Sequence, residues 1–315
     1  MEEQFEPRPL LALDDLRELM QRRTSPSLLL LVGQLGAFLL VATAVVWWGQ
    51  YPWRAGPLAL LLAWIWNSFF CPFHECTHRT AFRSPLGNRI GAWISGIFFG
   101  MSPSVYRTYH YQHHRYTRDP EKDPELNGKN GVAPWPSGIL RWTLAMGVLG
   151  IFLLKYRLLI AFAIKPRTEW PQLGPWTTQI DNPDRLVFES RVVLACWVAF
   201  LLAAVLMPPG GLWLIFAAWF THVYQTLWLS TEHTGLPSGG SILARTRSVE
   251  TTKFVQFSIW NMNYHAEHHA WPSIPWHALP ATHTRVEKHL ESFVPGYAAL
   301  HRSVLRGNTL PCGDP

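Results

Sequence analysis

Apolar residues in this chain gather into long unbroken runs, not into the alternation of half-buried strands. Residues 28–48 carry no charged side chain, follow Arg22 and Arg23, and end on Trp47 and Trp48. A helix of that length rises about 30 Å, enough to cross a bilayer, and tryptophan suits the boundary it reaches. A turn rich in Gly and Pro leads to a second run, predicted to span about residues 56–73. Residues 192–207 form a third. Pro208-Pro209-Gly210-Gly211 marks a tight reversal, and a fourth run covers about 211–229. The pattern predicts an all-α integral membrane protein with four transmembrane helices in two hairpins. Residues 90–105 are apolar but rich in Gly and Ser, and residues 138–164 are interrupted by Arg141, Lys155 and Arg157. Both are expected to lie in the interface or to re-enter it without crossing.

Composition agrees with this pattern. Of 315 residues, 48% are hydrophobic and 15% charged, against about 25% in an average globular chain. That excludes a disordered or collagen-like chain. The net charge of +6 is unevenly spread. The turn after the first run carries one basic residue, Arg54, and the Pro-Pro-Gly-Gly turn none, whereas residues 79–191 carry fifteen Lys/Arg against eight Asp/Glu. The positive-inside bias therefore predicts that both termini and the central region face the cytoplasm. No Lys/Arg-rich run with interleaved aromatics is present, so nucleic acid is not an expected partner. Cys71, Cys76, Cys196 and Cys312 form no CxxC pair, which argues against a disulfide framework or a zinc ribbon. The charged N-terminal stretch lacks the apolar core of a signal peptide.

Nine of the fourteen histidines fall in four places: His74 and His78 in HECTH; His110, His113 and His114 in HYQHH; His233 alone; and His265, His268 and His269 in HAEHH. Spacings of three and four put imidazoles on one face of a helix, and imidazole suits Fe, Zn, Cu and Ni. So many unligated imidazoles in a membrane chain would be costly to bury. Nine exceed what one ion can coordinate, so two ions are expected. Only Glu75 and His78 match the Glu-x-x-His spacing of carboxylate-type di-iron bundles, which are therefore disfavoured. Glu75, Glu232 and Glu267 each adjoin a candidate ligand and are candidates to orient the rings by accepting N–H bonds. A shared site requires all four places to lie on one side of the membrane, which holds if only the four runs cross.

The three histidine boxes, HECTH, HYQHH and HAEHH with Trp271-Pro272 after it, resemble those of the membrane fatty acid desaturases, and His233 resembles the extra ligand of acyl desaturases. The resemblance covers about residues 28–280. It implies a four-span domain with a cytosolic helical cap, residues 74–191 and 230–280, holding two non-haem irons. A cytosolic segment, 1–27, precedes that domain, and a cytosolic tail, 281–315, follows it. It further implies O2-dependent oxidation of a fatty acyl or related lipid chain to an alkene. No His-Pro-Gly-Gly haem motif occurs in the sequence, so the electrons are expected from a separate ferredoxin or cytochrome. A hydroxylase or ketolase on the same scaffold is the first alternative. A zinc-dependent membrane hydrolase and a non-catalytic metal binder are others. Trp93, Gly96 and Gly100 are candidates to line a substrate channel, with helix packing or interface anchoring as the default expectation. His222 is expected in a core hydrogen bond, and His277, His283, His289 and His301 at the surface or in structural roles. Residues 115–123 could bind an anionic head group or a donor protein, with a solvated loop as the default expectation.

Overall fold

A computed structural model describes residues 9–126, 138–149 and 151–307. The helices are, in order, α1 (Leu13–Leu19), α2 (Thr24–Trp47), α3 (Pro52–Asn67), α4 (Phe70–His78), α5 (Pro85–Phe99), α6 (Pro103–Arg115), α7 (Ile139–Leu144), α8 (Ile151–Ile164), α9 (Pro183–Val205) and α10 (Gly210–His233). Shorter ones follow: α11 (Ile242–Arg245), α12 (Lys253–Ser258), α13 (His265–Ala270), α14 (Leu279–Val286) and α15 (Tyr297–Leu305). The all-α expectation needs one small amendment. Strands β1 (Ser248–Val249) and β2 (Phe293–Val294) pair in parallel and tie the C-terminal helices to the core.

Local sequence explains several helix starts. Ser84, Ser102 and Asn182 accept the N–H groups of Gly87, Val105 and Arg185, which caps α5, α6 and α9. Each cap is followed by a proline, whose missing N–H costs nothing in a first turn. α2 and the part of α9 after Arg191 are apolar on every face, and they leave large side chains outside: Leu29 is 74% exposed, Leu40 72% and Leu202 62%. In water that would be an extended sticky patch; against lipid it is an ordinary surface.

α10 packs against α3, α2 and α9. Two glycines in the reversal make this close approach possible. A Cβ on Gly210 would stand 2.7 Å from the Val46 Cα, and one on Gly211 would stand 1.7 Å from the Ala204 carbonyl oxygen. The turn is thus pressed against the ends of α2 and α9 with no room for a side chain.

Among the described residues, four helical stretches are long and apolar enough to cross a membrane: Leu13–Trp47, Pro52–His78, Ile139–Ile164 and Pro183–Val205. The number matches the expectation; one member does not. The expected last span, 211–229, lies in α10, which falls outside this set. The reason is its polar stripe. Thr221, His222, Gln225 and Thr226 lower its hydropathy, yet all four are buried against the protein. Conversely, Ile139–Ile164 is apolar enough although Lys155 interrupts it, and that lysine too is buried. Hydropathy counts these residues without knowing which way they face. α5 has fifteen residues and rises about 22 Å, too short to cross.

Candidate metal centre

The four histidine places come from four helices. α4 carries His74 and His78, α6 carries His110, His113 and His114, α10 ends on His233, and α13 carries His265, His268 and His269. Their ring nitrogens form two groups, His74, His78, His110, His114 and His268 in one and His113, His233, His265 and His269 in the other, with the ligand atoms of each group within 4.8 Å of one another. All nine are buried except His78, which is half-buried.

Helix geometry divides each HxxHH box between the groups. At 3.6 residues per turn, residues four apart differ by about 40° around the axis, and adjacent residues by about 100°. His110 and His114 therefore point together while His113 points away, and His265 and His269 point together while His268 points away. The two groups meet where the rings of His114 and His269 stack at 4.1 Å.

Close approaches run through the groups. In the first, Nε2 atoms lie 2.8 Å apart for His78–His110, 3.0 Å for His110–His114 and 3.2 Å for His114–His268. In the second, they lie 3.1 Å apart for His113–His233 and 2.9 Å for His233–His265. Two nitrogens bound at right angles to one metal, each about 2.1 Å from it, stand about 3 Å apart.

Tautomers sharpen the test of whether a metal fits. His113 Nδ1 lies 3.0 Å from Asp123 Oδ1, and His233 Nδ1 lies 3.0 Å from the Arg245 carbonyl. Both acceptors require Nδ1–H, which leaves a lone pair on each Nε2. Two lone pairs facing each other at 3.1 Å need a positive charge between them. The Thr117 hydroxyl donates to the carbonyls of His113 and His114, so it accepts from His269 Nδ1 at 3.2 Å. That frees His269 Nε2, which is buried without a partner. His74 has no hydrogen-bond partner on either ring nitrogen, and His114, His265 and His268 have none on Nδ1. This donor set fits a pair of metal ions.

Electrostatics keep most of these rings available. Burial, with neighbouring imidazoles adding to it, holds His110, His114, His265, His268 and His269 well below the ordinary histidine pKa. They are neutral, as ligands must be. For His113, burial also pushes down, but the carboxylates of Glu125 and Asp123 outweigh it and raise the ring to about 9. A metal at its Nε2 replaces the proton those carboxylates favour.

The adjacent glutamates divide. Glu232 Oε1 is 3.5 Å from His265 Nδ1, close enough to bias that ring. Glu75 stands 3.8 Å from His74, while its other oxygen accepts Thr80 Oγ1 at 2.7 Å and the Trp276 N–H at 3.1 Å. Glu267 accepts from Ser248 and from His283, so it braces α14 and β1 against α13 rather than orienting a candidate ligand.

The more direct ring partner is Asp123. The loop that carries it is solvated only in part: Glu121 and Lys122 are exposed, but Thr117, Arg118 and Asp123 are at most 2% exposed. Asp123 also accepts the Arg118 N–H at 2.7 Å, and Arg245 donates to the Thr117 carbonyl at 2.9 Å. One sequence signal for Asp123 exists, an acid ten residues after His113, but many surface loops share it.

Other expectations resolve simply. His222 bonds the Ala218 carbonyl at 2.9 Å, as a core histidine does. His301 bridges the Leu227 carbonyl and Trp142 Nε1, and His283 pairs with Glu267, so both are structural. Gly96 is a packing glycine, since a Cβ there would meet the Met101 carbonyl oxygen at 2.8 Å and Phe73 at 2.9 Å. Gly100 ends α5 in the left-handed region beneath Trp197. Neither leaves room for a channel. Trp93 lines an arginine-rich surface groove instead.

A sequence model of the fatty acid desaturase family matches residues 51–301. The chain is similar to a sphingolipid delta(4)-desaturase of Komagataella phaffii, 25% identical over 240 residues, which are 69% of this chain and 57% of that one. It is similar to a beta-carotene ketolase of Haematococcus lacustris, 23% identical over 70% of this chain and 59% of that one. A dihydrorhizobitoxine desaturase of Bradyrhizobium elkanii is 26% identical over 84% of this chain and 74% of that protein. The chain spans less than two thirds of the length of the first two of these. The match takes in all four elements that carry the nine converging imidazoles, and the chain belongs to the fatty acid desaturase family.

Proposed function

We propose that the protein is an O2-dependent, membrane-embedded di-iron oxidoreductase that introduces a double bond into a fatty acyl or related lipid chain. One observation carries the reading: nine imidazoles from four helices converge in two adjacent groups, in a chain of this family. His74, His78, His110, His114 and His268 would hold one iron, and His113, His233, His265 and His269 the other. Such a pair, when bound, supplies oxidation of an unactivated C–H bond by O2, with electrons from a separate ferredoxin- or cytochrome-type donor.

The chain's own residues hold and shield this centre. Asp123, Thr117 and the Arg245 carbonyl set three imidazoles in the tautomer that presents Nε2, with Glu232 a fourth influence at His265. An almost wholly apolar cleft of about 270 Å³ between α3, α10, α12 and α15 suits a hydrocarbon chain. Its wall residue Trp228 touches Phe70 at 5.6 Å between ring centres, and Phe70 touches His74 at 5.8 Å. Those rings keep water from the side of the centre where a chain would lie.

The topology we favour is two hairpins, α2 with α3–α4 and α9 with α10, and a cytosolic cap of the intervening and following helices. Parity supports it. The histidines of α6 and the end of α10 share a group, so the chain between them must cross an even number of times. α9 and α10 supply two crossings, which leaves α7–α8 inserted but not crossing. The excess of basic residues between positions 79 and 191 supports a cytoplasmic centre.

The ketolase relative favours a second reading, hydroxylation or ketone formation on the same scaffold. Lipid profiling of cells with and without the protein separates the two: a desaturated product lacks two hydrogens, a hydroxylated one gains an oxygen. Purified protein that holds zinc and no iron would overturn both and favour a hydrolase.

A further inference from the structure

A groove of about 570 Å³ lies between α4, α5, α6 and the start of α9, and it serves none of the roles above. Arg79, Arg89, Arg107 and Arg185 line it, and all four are exposed. Arg185 is paired with Glu189 at 2.7 Å. Among the described residues Arg79, Arg89 and Arg107 make no ion pair, and Asp181 is the one acid in the lining. Three uncompensated guanidiniums around a concavity favour an anion, and three together favour one with more than two acceptor oxygens.

The apolar surroundings narrow the class further. Leu86 and Ile90 on α5 are 53% and 50% exposed beside Arg89, and Trp93 follows on the same helix face at i+3 and i+7. A basic, aromatic and apolar stripe on a short helix is the surface of an element lying in a membrane interface. The groove also adjoins the metal centre. Arg107 lies over the Tyr111 ring at 5.2 Å, and that ring is 5.8 Å from His78, the one half-buried member of the nine.

We propose that this groove seats the phosphate of an anionic amphiphile. Arg79, Arg89 and Arg107 hold its oxygens, and its first chain carbons rest on Leu86, Ile90 and Trp93. The concavity and the apolar stripe favour this over an acidic redox protein, which would need a flatter face. The inference rests on the placement of α5 in the cytosolic cap proposed above, with its apolar stripe against the membrane surface, and not on the oxidation chemistry.

The test uses full-length, metal-loaded protein in nanodiscs of phosphatidylcholine with a minority of phosphatidic acid, and counts lipids retained on release into native mass spectrometry. We expect phosphatidic acid to be retained selectively. Each arginine beside an anionic head group contributes about a fivefold gain in affinity. R79Q/R89Q/R107Q should therefore lose selectivity by about a hundredfold, and R89Q or R107Q alone by about fivefold, while R302Q on α15 changes nothing. The single variants carry the test if the triple variant does not fold, and unchanged metal content keeps the result independent of the catalytic reading. No preference in the wild type, or a preference that survives the triple variant, overturns the proposal. If inorganic phosphate displaces the lipid at equal concentration, the chain contributes nothing and the ligand is a soluble phosphate. If the variants slow reduction by an acidic redox protein but bind lipid normally, the groove is a donor-docking face and the proposal fails.

Discussion

Asp123→Asn tests the second imidazole group at the point where the fold orients it. Asp123 is 2% exposed and accepts three donors: His113 Nδ1 and the Glu125 N–H at one oxygen, and the Arg118 N–H at the other. An amide of the same shape offers one acceptor oxygen and one NH2. In either orientation an N–H of the chain or of His113 faces an amide N–H. Losing a buried, charge-assisted bond costs about 1.5–3 kcal/mol. Removing the partner that fixes a ligating ring lowers metal affinity about 10–100-fold, equivalent to about 1.4–2.7 kcal/mol. The loss should fall on one ion only, because no hydrogen bond from Asp123 reaches the group built on His74, His78, His110, His114 and His268. Purified D123N protein, titrated with a graded chelator and analysed for iron by mass spectrometry, should release one iron per chain at about 10–100-fold lower chelator than wild type. The second iron should follow the wild-type curve. Asp181→Asn, at an exposed acid, should change neither. Two irons released at wild-type chelator concentrations would refute the claim that Asp123 holds His113 in its ligating tautomer.

Three further outcomes follow from the same geometry. His113→Ala and His268→Ala should each abolish oxidation while the protein still inserts, and each should lose chiefly the iron of its own group; full turnover in either removes that residue from the ligand set. Gly211→Ala should destabilise the protein by about 3 kcal/mol or more, since its Cβ would meet the Ala204 carbonyl oxygen at 1.7 Å and that atom belongs to the backbone. A melting temperature within error of wild type would show that the α9–α10 turn yields to a methyl group. Lys155, 1% exposed, has an amine without a hydrogen-bond partner 4.1 Å from the Phe99 ring. Lys155→Met keeps the packing and removes the stranded group, so it should raise stability by about 1–3 kcal/mol in thermal unfolding; a lower melting temperature would show that the amine has a partner in the membrane.

What could be read along the chain was whatever depends on neighbours in sequence. Unbroken apolar runs have no stable alternative to a helix in lipid, so α2, α3, α9 and α10 were legible as lengths. Histidines at spacings of three and four share a helix face whatever the helix packs against, so the nine imidazoles were legible as a set. Even the Pro-Pro-Gly-Gly reversal announced itself by composition. The partition of that set was not legible. Whether His113 joins His110 or His265 depends on how α6 and α13 are rotated about their axes when they meet, and that rotation is set by packing. The inward turn of the polar side chains of α10 and of Lys155 was not legible either, because hydropathy cannot tell a polar side chain turned inward from one turned to lipid. The partners of Glu267 and Asp123 were hidden for the same reason. Glu267 is next to His268 in sequence but turns to His283, while Asp123 lies ten residues from His113 and is folded back onto it. Adjacency in a helix sends consecutive side chains in different directions, and only the tertiary fold returns a distant carboxylate to the ring it orients.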